Sequence, residues 1–244
     1  MENKWNDSDA KAAIEKYSDV ADDIALRVYT SRLIGADPSL VLHGGGNTSV
    51  KSRTRNKVNE EVDVLYVKGS GWDLDTLEPP GLPGGLLDHL QKLRSLDRLS
   101  DEEMVNEQRT HLLDASSPNP SVETLLHAFL PHKFIDHTHA NAALSLTDQK
   151  DGEALCRRVF GKKMGYVPYI KPGLDLSRKT LQVYEADPSV QGLILLKHGI
   201  FTFGDTAKHA YSRMIGMVTL AELRLKKGRK KVFTPAKLPQ KTTA

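Results

Sequence analysis

Nine histidines are spread along the chain, and two of them, His137 and His139, stand two residues apart. They close the run Phe134-Ile-Asp-His-Thr-His139, which reads as a strand. Side chains at i and i+2 of a strand project from the same face, so both imidazoles share one side of a sheet. On a helix the same pair would lie about 200° apart and could not grip one ion. His198 ends a second strand-like run and precedes Gly199, where the chain can turn or approach closely. Three neutral imidazoles with one open position make a catalytic zinc site. His-x-His alone is a weak signal, since a lone histidine is usually a satisfied core or surface residue. His198 joins the pair only if the two strands lie side by side. Asp136 is read as an acceptor orienting an imidazole, or else as an ordinary strand acid.

Two glycine-rich turns suggest anion chemistry. Gly44-Gly45-Gly46-Asn47-Thr48-Ser49 offers bare amides and three polar side chains, and Lys68-Gly69-Ser70-Gly71 follows a strand. Glycines let backbone N–H groups reach an anion without Cβ clashes, and successive amides form a nest. Neither is a Walker loop, because no Gly-Lys-Ser/Thr follows. One such turn is usually only a turn; two, each after an apolar run, fit a phosphate cradle. Lys68 would add charge or simply be solvated. Glu123 sits at a predicted helix start, where the helix dipole favours a carboxylate. It can equally serve as a general base that takes a proton α to a carbonyl beside a metal. The residues alone do not choose.

These side chains need elements to hold them. A 3.6-residue apolar period predicts a helix over Asp19–Ile34, stopped by Gly35-Ala-Asp-Pro38. Val62–Val67 is a β-branched strand. Ser100-Asp-Glu-Glu103 is a capping box opening a helix to about Leu113, and Ser121 caps a helix carrying Val122, Leu125, Leu126 and Phe129. A helical stretch follows from Ala140. Gly165–Ile170 is extended, Ser177 caps a helix over about Arg178–Glu185, and Gln191–Lys197 and Ile200–Phe203 are strands meeting at His198-Gly199. Asp205–Lys227 is a long amphipathic helix. The mixture implies one α/β domain over 1–227, with helices packed on a sheet.

The chain has 244 residues, 39% apolar and 27% charged, which fits a globular chain with a full-sized core. Its longest apolar runs, such as Gly192–Leu196, are too short to cross a bilayer. The polar N-terminus lacks an apolar signal core. A single cysteine, Cys156, rules out an internal disulfide and a Cys-based zinc site. Together these predict a cytoplasmic protein with no membrane partner. From Arg224 onward there are eight basic residues and no acid, leaving residues 1–223 at −5 against a total of +3. Such a tail can attract nucleic acid or anionic lipid. Over 228–244 it is read instead as a solvated helix end running into a polar, Pro-containing linker, with no nucleic-acid partner.

Gly46-Asn47, Ser70-Gly71, Pro120-Ser121-Val122-Glu123, His137-Thr138-His139 and Lys197-His198-Gly199 fall in the order and approximate spacing of the class II aldolase/adducin family, which the chain resembles from about Ala25 to Leu225. Each piece is weak alone; the set is specific. Ser31–Gly35, Gly44–Lys51, Val67–Gly71 and Ser121–Leu130 are similar to the N-terminal aldolase part of bifunctional rhamnulose-1-phosphate aldolase/short-chain dehydrogenase proteins. The resemblance implies a three-layer α/β/α sandwich with a central mixed sheet, commonly assembled as a homotetramer. It implies Zn²⁺ on His137, His139 and His198, and Glu123 as catalytic acid/base. It implies Gly46, Asn47, Ser70, Gly71 and Ser121 around the phosphate of a phosphorylated ketose, L-rhamnulose 1-phosphate being favoured. A C-terminal dehydrogenase domain would follow the tail. One departure stands out: the family often has Ser-Ser-Glu where this chain has Ser121-Val122-Glu123, so one phosphate hydrogen bond is lost or supplied elsewhere. A sugar-phosphate epimerase or dehydratase of the same family, and a non-catalytic adducin-like interaction module, are the alternative expectations.

Overall fold

The computed structural model describes residues 1–228, so the tail reading over 228–244 lies outside them apart from its first residue. Seven strands form one mixed sheet: β1 (Asn47–Arg55), β2 (Glu61–Val67), β3 (Gly84–Leu86), β4 (Phe134–Thr138), β5 (Met164–Val167), β6 (Gly192–Leu195) and β7 (Gly199–Gly204). Their spatial order is β3-β2-β1-β4-β7-β6-β5, and every pair is antiparallel except β5–β6. The helices are α1 (Asp7–Lys16), α2 (Asp22–Gly35), α3 (Leu87–Lys92), α4 (Asp101–Thr110), α5 (Thr124–Phe129), α6 (Asn141–Thr147), α7 (Gly152–Phe160), α8 (Leu174–Ala186) and α9 (Ala207–Gly228).

Strand alternation divides the core into two layers. Val50, Phe134, Ile194 and Ile200 face α2, α6, α7 and α9. Leu65, Ile135, Leu193, Phe201 and Phe203 face the other way, where α3, α5 and α8 supply Leu90, Leu125, Leu126 and Leu176. Helices therefore cover both faces, as the three-layer expectation requires.

Central β4 is buried along its whole length. Its polar residues need partners there, and alternation sends them to opposite sides. Asp136 points toward α2 and pairs with the fully buried Arg27 at 2.6 Å. The same guanidinium donates to the carbonyls of Ser49 and Ile135. The expected role of Asp136 in orienting an imidazole is thus corrected, because His137 lies on the other face.

Local chemistry explains most boundaries. The capping box forms as read: Ser100 Oγ accepts from the Glu103 amide and the Glu103 carboxylate accepts from that of Ser100. Helix α4 stops at Thr110 rather than Leu113 because the next residues pair with β3, Leu86 N donating to His111 O and Leu113 N to Gly84 O. Helix α8 starts at Leu174, three residues before the expected Ser177 cap. Ser177 Oγ instead donates back to Gly173 O. Helix α5 starts at Thr124, so Val122 lies outside it and is 53% exposed, not packed with Leu125 and Leu126. Helices α1, α3 and α7 and strands β1 and β3 were not expected.

Candidate active and metal site

His137 lies near the C-terminal end of β4, and His139 follows just past it, preserving the i, i+2 relation. Strand β7 pairs with β4, with His137 opposite Phe201 and Thr138 opposite Ile200, so the turn before β7 delivers His198 to the same place. That turn requires special backbone: Lys197 has φ +59. At Gly199 an added Cβ would lie 2.5 Å from Thr138 O and 2.9 Å from His137 Cε1. Only glycine allows this approach. One ring nitrogen from each of the three histidines then falls within 4.8 Å of the others.

The rings carry the right protonation for ligands. His137 Nδ1–H donates to Ile200 O at 3.2 Å, leaving a lone pair on Nε2. That Nε2 is 3.0 Å from His139 Nε2. Burial pulls His137 down to about 3 and also lowers His139, so both rings are neutral near neutral pH. Converging neutral imidazole nitrogens are the donor set of a borderline-soft divalent ion, and the triad can hold one. Phe201 stacks on His137 with ring centroids 4.1 Å apart, fixing the plane of the ring.

Glu123 stands beside this cluster. Its Oε2 is 3.3 Å from His137 Nε2 and its Oε1 is 3.0 Å from His198 Nε2. Burial alone would raise this carboxyl; the His137 and His198 imidazoles and the Asn47 amide outweigh that effect and hold it well below the usual carboxylate range. Asn47 Nδ2 donates to Glu123 Oε2 at 2.7 Å and to Ser121 Oγ at 3.1 Å. Oε1 has no hydrogen-bond donor with good geometry. The carboxylate is therefore anchored by the Asn47 amide at Oε2, with the buried Oε1 turned toward His198.

Two residues outside the expected set fix Asn47. His127 Nε2–H donates to Asn47 Oδ1, while His127 Nδ1 accepts from Ser49 Oγ at 2.7 Å. Burial holds His127 neutral, well below its ordinary range. With its oxygen occupied by His127, Asn47 must present its NH₂ to Glu123 and Ser121. The chain Ser49–His127–Asn47–Glu123 thus runs from β1 through α5 and back to the carboxylate.

The glycine turns are only partly as read. Asn47, Thr48 and Ser49 begin β1, with Asn47 directly opposite His137. Thr48 bonds Ser31 and Ser49 bonds His127, both buried, so neither is free for an anion. Gly46 has φ +65, and a Cβ there would meet His137 O and Val41 Cγ1 at 2.7 Å. Lys68 is buried rather than solvated: its Nζ donates to Gly44 O at 2.9 Å and Trp72 O at 2.7 Å, tying the two turns together. Gly71, at φ +84, faces open space, and Ser70 is exposed. Backbone links from Gly69 to Pro120 and from Ser70 N to Asn119 O set this turn beside Ser121.

Residues 26–225 match the family model described as class II aldolase and adducin N-terminal domain. The chain belongs to this family. It is 38% identical over 195 residues to a Bacillus subtilis protein named as the uncharacterized oxidoreductase YuxG; the match covers 80% of this chain and 28% of that protein. This class II aldolase/adducin domain therefore corresponds to under a third of that relative's length. A solved N-terminal class II aldolase domain of a conserved Thermoplasma acidophilum protein superposes with a TM-score of 0.83 at 40% identity, covering 92% of this chain and 99% of that one. A sugar-phosphate aldolase from Thermotoga maritima shares the fold, with a TM-score of 0.59 at 20% identity over 83% of this chain and 97% of that one.

Proposed function

We propose that this domain is a zinc-dependent aldolase that reversibly cleaves a ketose 1-phosphate, L-rhamnulose 1-phosphate being the favoured substrate, into dihydroxyacetone phosphate and an aldehyde, L-lactaldehyde. The observation that carries the reading is the Glu123 carboxylate, pinned by Asn47 at one oxygen and set 3.0–3.3 Å from ring nitrogens of His198 and His137. Zinc on His137, His139 and His198 would supply a Lewis acid against the negative charge that develops on substrate oxygens.

In the condensation direction, Glu123 Oε1 takes a proton from the hydroxymethyl carbon of dihydroxyacetone phosphate. In cleavage the same oxygen returns it. Asn47 keeps Oε2 as a hydrogen-bonded anchor. Gly46, Ser70, Gly71 and Ser121 form the phosphate side of the site, where Asn47, its side-chain amide already shared among Glu123, Ser121 and His127, holds Ser121 in place, and phosphate binding positions the reacting carbons. Val122 has no hydroxyl to add there, so the bond that a serine would supply is lost or comes from elsewhere.

The reading extends to assembly. A homotetramer is proposed, and in a longer protein a short-chain dehydrogenase domain would follow and act on the aldehyde. The longer Bacillus subtilis relative, named an oxidoreductase, supports that arrangement.

The test is product analysis by NMR after incubating zinc-loaded protein with L-rhamnulose 1-phosphate. Dihydroxyacetone phosphate and lactaldehyde in equal amounts are expected. An isomeric sugar phosphate would mark an epimerase, a dehydrated sugar a dehydratase, and either would remove the aldolase assignment.

A further inference from the structure

One buried cation has no part in the chemistry described so far. Lys51 lies on β1 at the i+4 position from Asn47, with Ser49 between them, so strand alternation puts all three side chains on the face that α5 covers. Together they hold a single residue. Asn47 Oδ1 takes the His127 Nε2–H, Ser49 Oγ donates to His127 Nδ1 at 2.7 Å, and Lys51 Nζ donates to the His127 carbonyl at 2.8 Å. The same ammonium donates to His132 O at 2.8 Å, and the Lys51 amide donates to Lys133 O at 2.8 Å.

The His127 carbonyl needs that donor. In a continuing helix it would accept from the residue four positions on, which is Pro131 and has no N–H. Helix α5 ends there, and Leu130 N turns back to Leu126 O. The other end of this short helix is Glu123, whose carbonyl accepts from the amides of Leu126 at 2.9 Å and His127 at 3.3 Å. One rigid turn thus joins the carboxylate-bearing residue to His127, and Lys51 pins that turn to β1.

A cation is costly at this place. Burial pulls Lys51 down to about 7, and among the described residues no carboxylate pairs with it. An apolar residue of the same length would fill the space without that cost but would leave two carbonyls without a donor. We propose that Lys51 is a positioning residue for the reaction: by bridging the carbonyls of His127 and His132 it seats α5 on β1, so that the His127 ring holds Asn47 and Asn47 holds Glu123. The proposal rests on the reading of Glu123 as the acid/base group.

The test compares wild type with Lys51→Arg, Lys51→Gln and Lys51→Met as zinc-loaded, ¹⁵N-histidine-labelled protein. Long-range ¹H–¹⁵N spectra report the His127 tautomer, and steady-state kinetics on L-rhamnulose 1-phosphate report turnover. Wild type should show His127 protonated on Nε2 alone. That signal should give way to mixed tautomers in the order Arg, Gln, Met, as the charge and then the donors are removed. Turnover should fall in the same order, by about 10-fold in Lys51→Met, the lower end of what losing an orienting partner costs. KM and zinc content should not change, the pattern of support felt in the transition state rather than in binding. Should Lys51→Met not fold, the ordering of the other two variants carries the test. A His127 tautomer that stays fixed in every folded variant, or turnover that falls without any change in it, would overturn the proposal. Wild type without turnover would remove the Glu123 reading alone, and the spectra would still decide whether Lys51 holds the ring.

Discussion

Glu123 differs from an ordinary first-turn acid in being anchored by Asn47 at one oxygen and turned toward the histidine cluster at the other. Glu123→Gln should keep the metal and the fold but lower turnover by about 10²–10⁴-fold, as expected for a positioned general base; steady-state kinetics beside metal analysis checks this, and near-normal turnover would remove the assigned role. His127→Phe breaks the link that fixes Asn47. It should reduce turnover by about 10–100-fold with metal retained, the scale of losing an orienting partner, and unchanged kinetics would show that Asn47 needs no such support. Acid conditions bear on the same buried rings. His137 is pulled down to about 3 and His132 to about 4, both chiefly by burial, so the unfolded chain binds protons at these groups below about pH 6.5 while the folded chain does not. Stability of the metal-free protein should therefore fall as pH drops from about 6.5 toward 4, readable as a falling melting temperature. The His137–His139 pairing was legible because the two-residue period of a strand is local. The opposite face of Asp136 follows from the same period. His127 and Ser49 were not legible: a histidine on an apolar helix reads as core until a strand register brings Asn47 to it.

Element placement carries the rest of the site. The buried Arg27–Asp136 pair joins α2 to the sheet behind His137. Asp136→Ala would strand a buried guanidinium and should cost about 3–5 kcal/mol, measurable by denaturant unfolding. Helices with strong local signals were read nearly in place: the apolar period of α2, the capping box of α4 and the long α9. The misses share a cause. Strand β1 has the sequence Asn47-Thr-Ser-Val-Lys-Ser-Arg-Thr-Arg55, polar at most positions and entered from three glycines, so it resembles a loop. It is a strand because it pairs on both sides, with β2 and β4. Only that pairing brings Asn47 opposite His137. Helix α1 is similarly polar and buries only Ala10. Cap positions failed where tertiary contacts shifted the start, as the Gly69–Pro120 bridge does upstream of α5.

At the scale of the molecule, a seven-stranded sheet covered on both faces presents one cluster of three imidazoles at the ends of β4 and β6, with a carboxylate from the entry to α5 beside it. Among the described residues no helix is long and apolar enough to cross a membrane. The family relationship and the sandwich were legible because short motifs, each weak, occur in one order across most of the chain. Substrate stereochemistry was not, because it depends on pocket shape rather than on motif spacing. The most direct measurement is release of dihydroxyacetone phosphate from a panel of ketose 1-phosphates, followed by a coupled assay on untagged protein before chelation, after chelation and after zinc is restored. Release that disappears with chelator and returns with zinc, strongest on L-rhamnulose 1-phosphate, is the predicted result. Release that persists without metal, or none from any substrate with zinc bound, would contradict it.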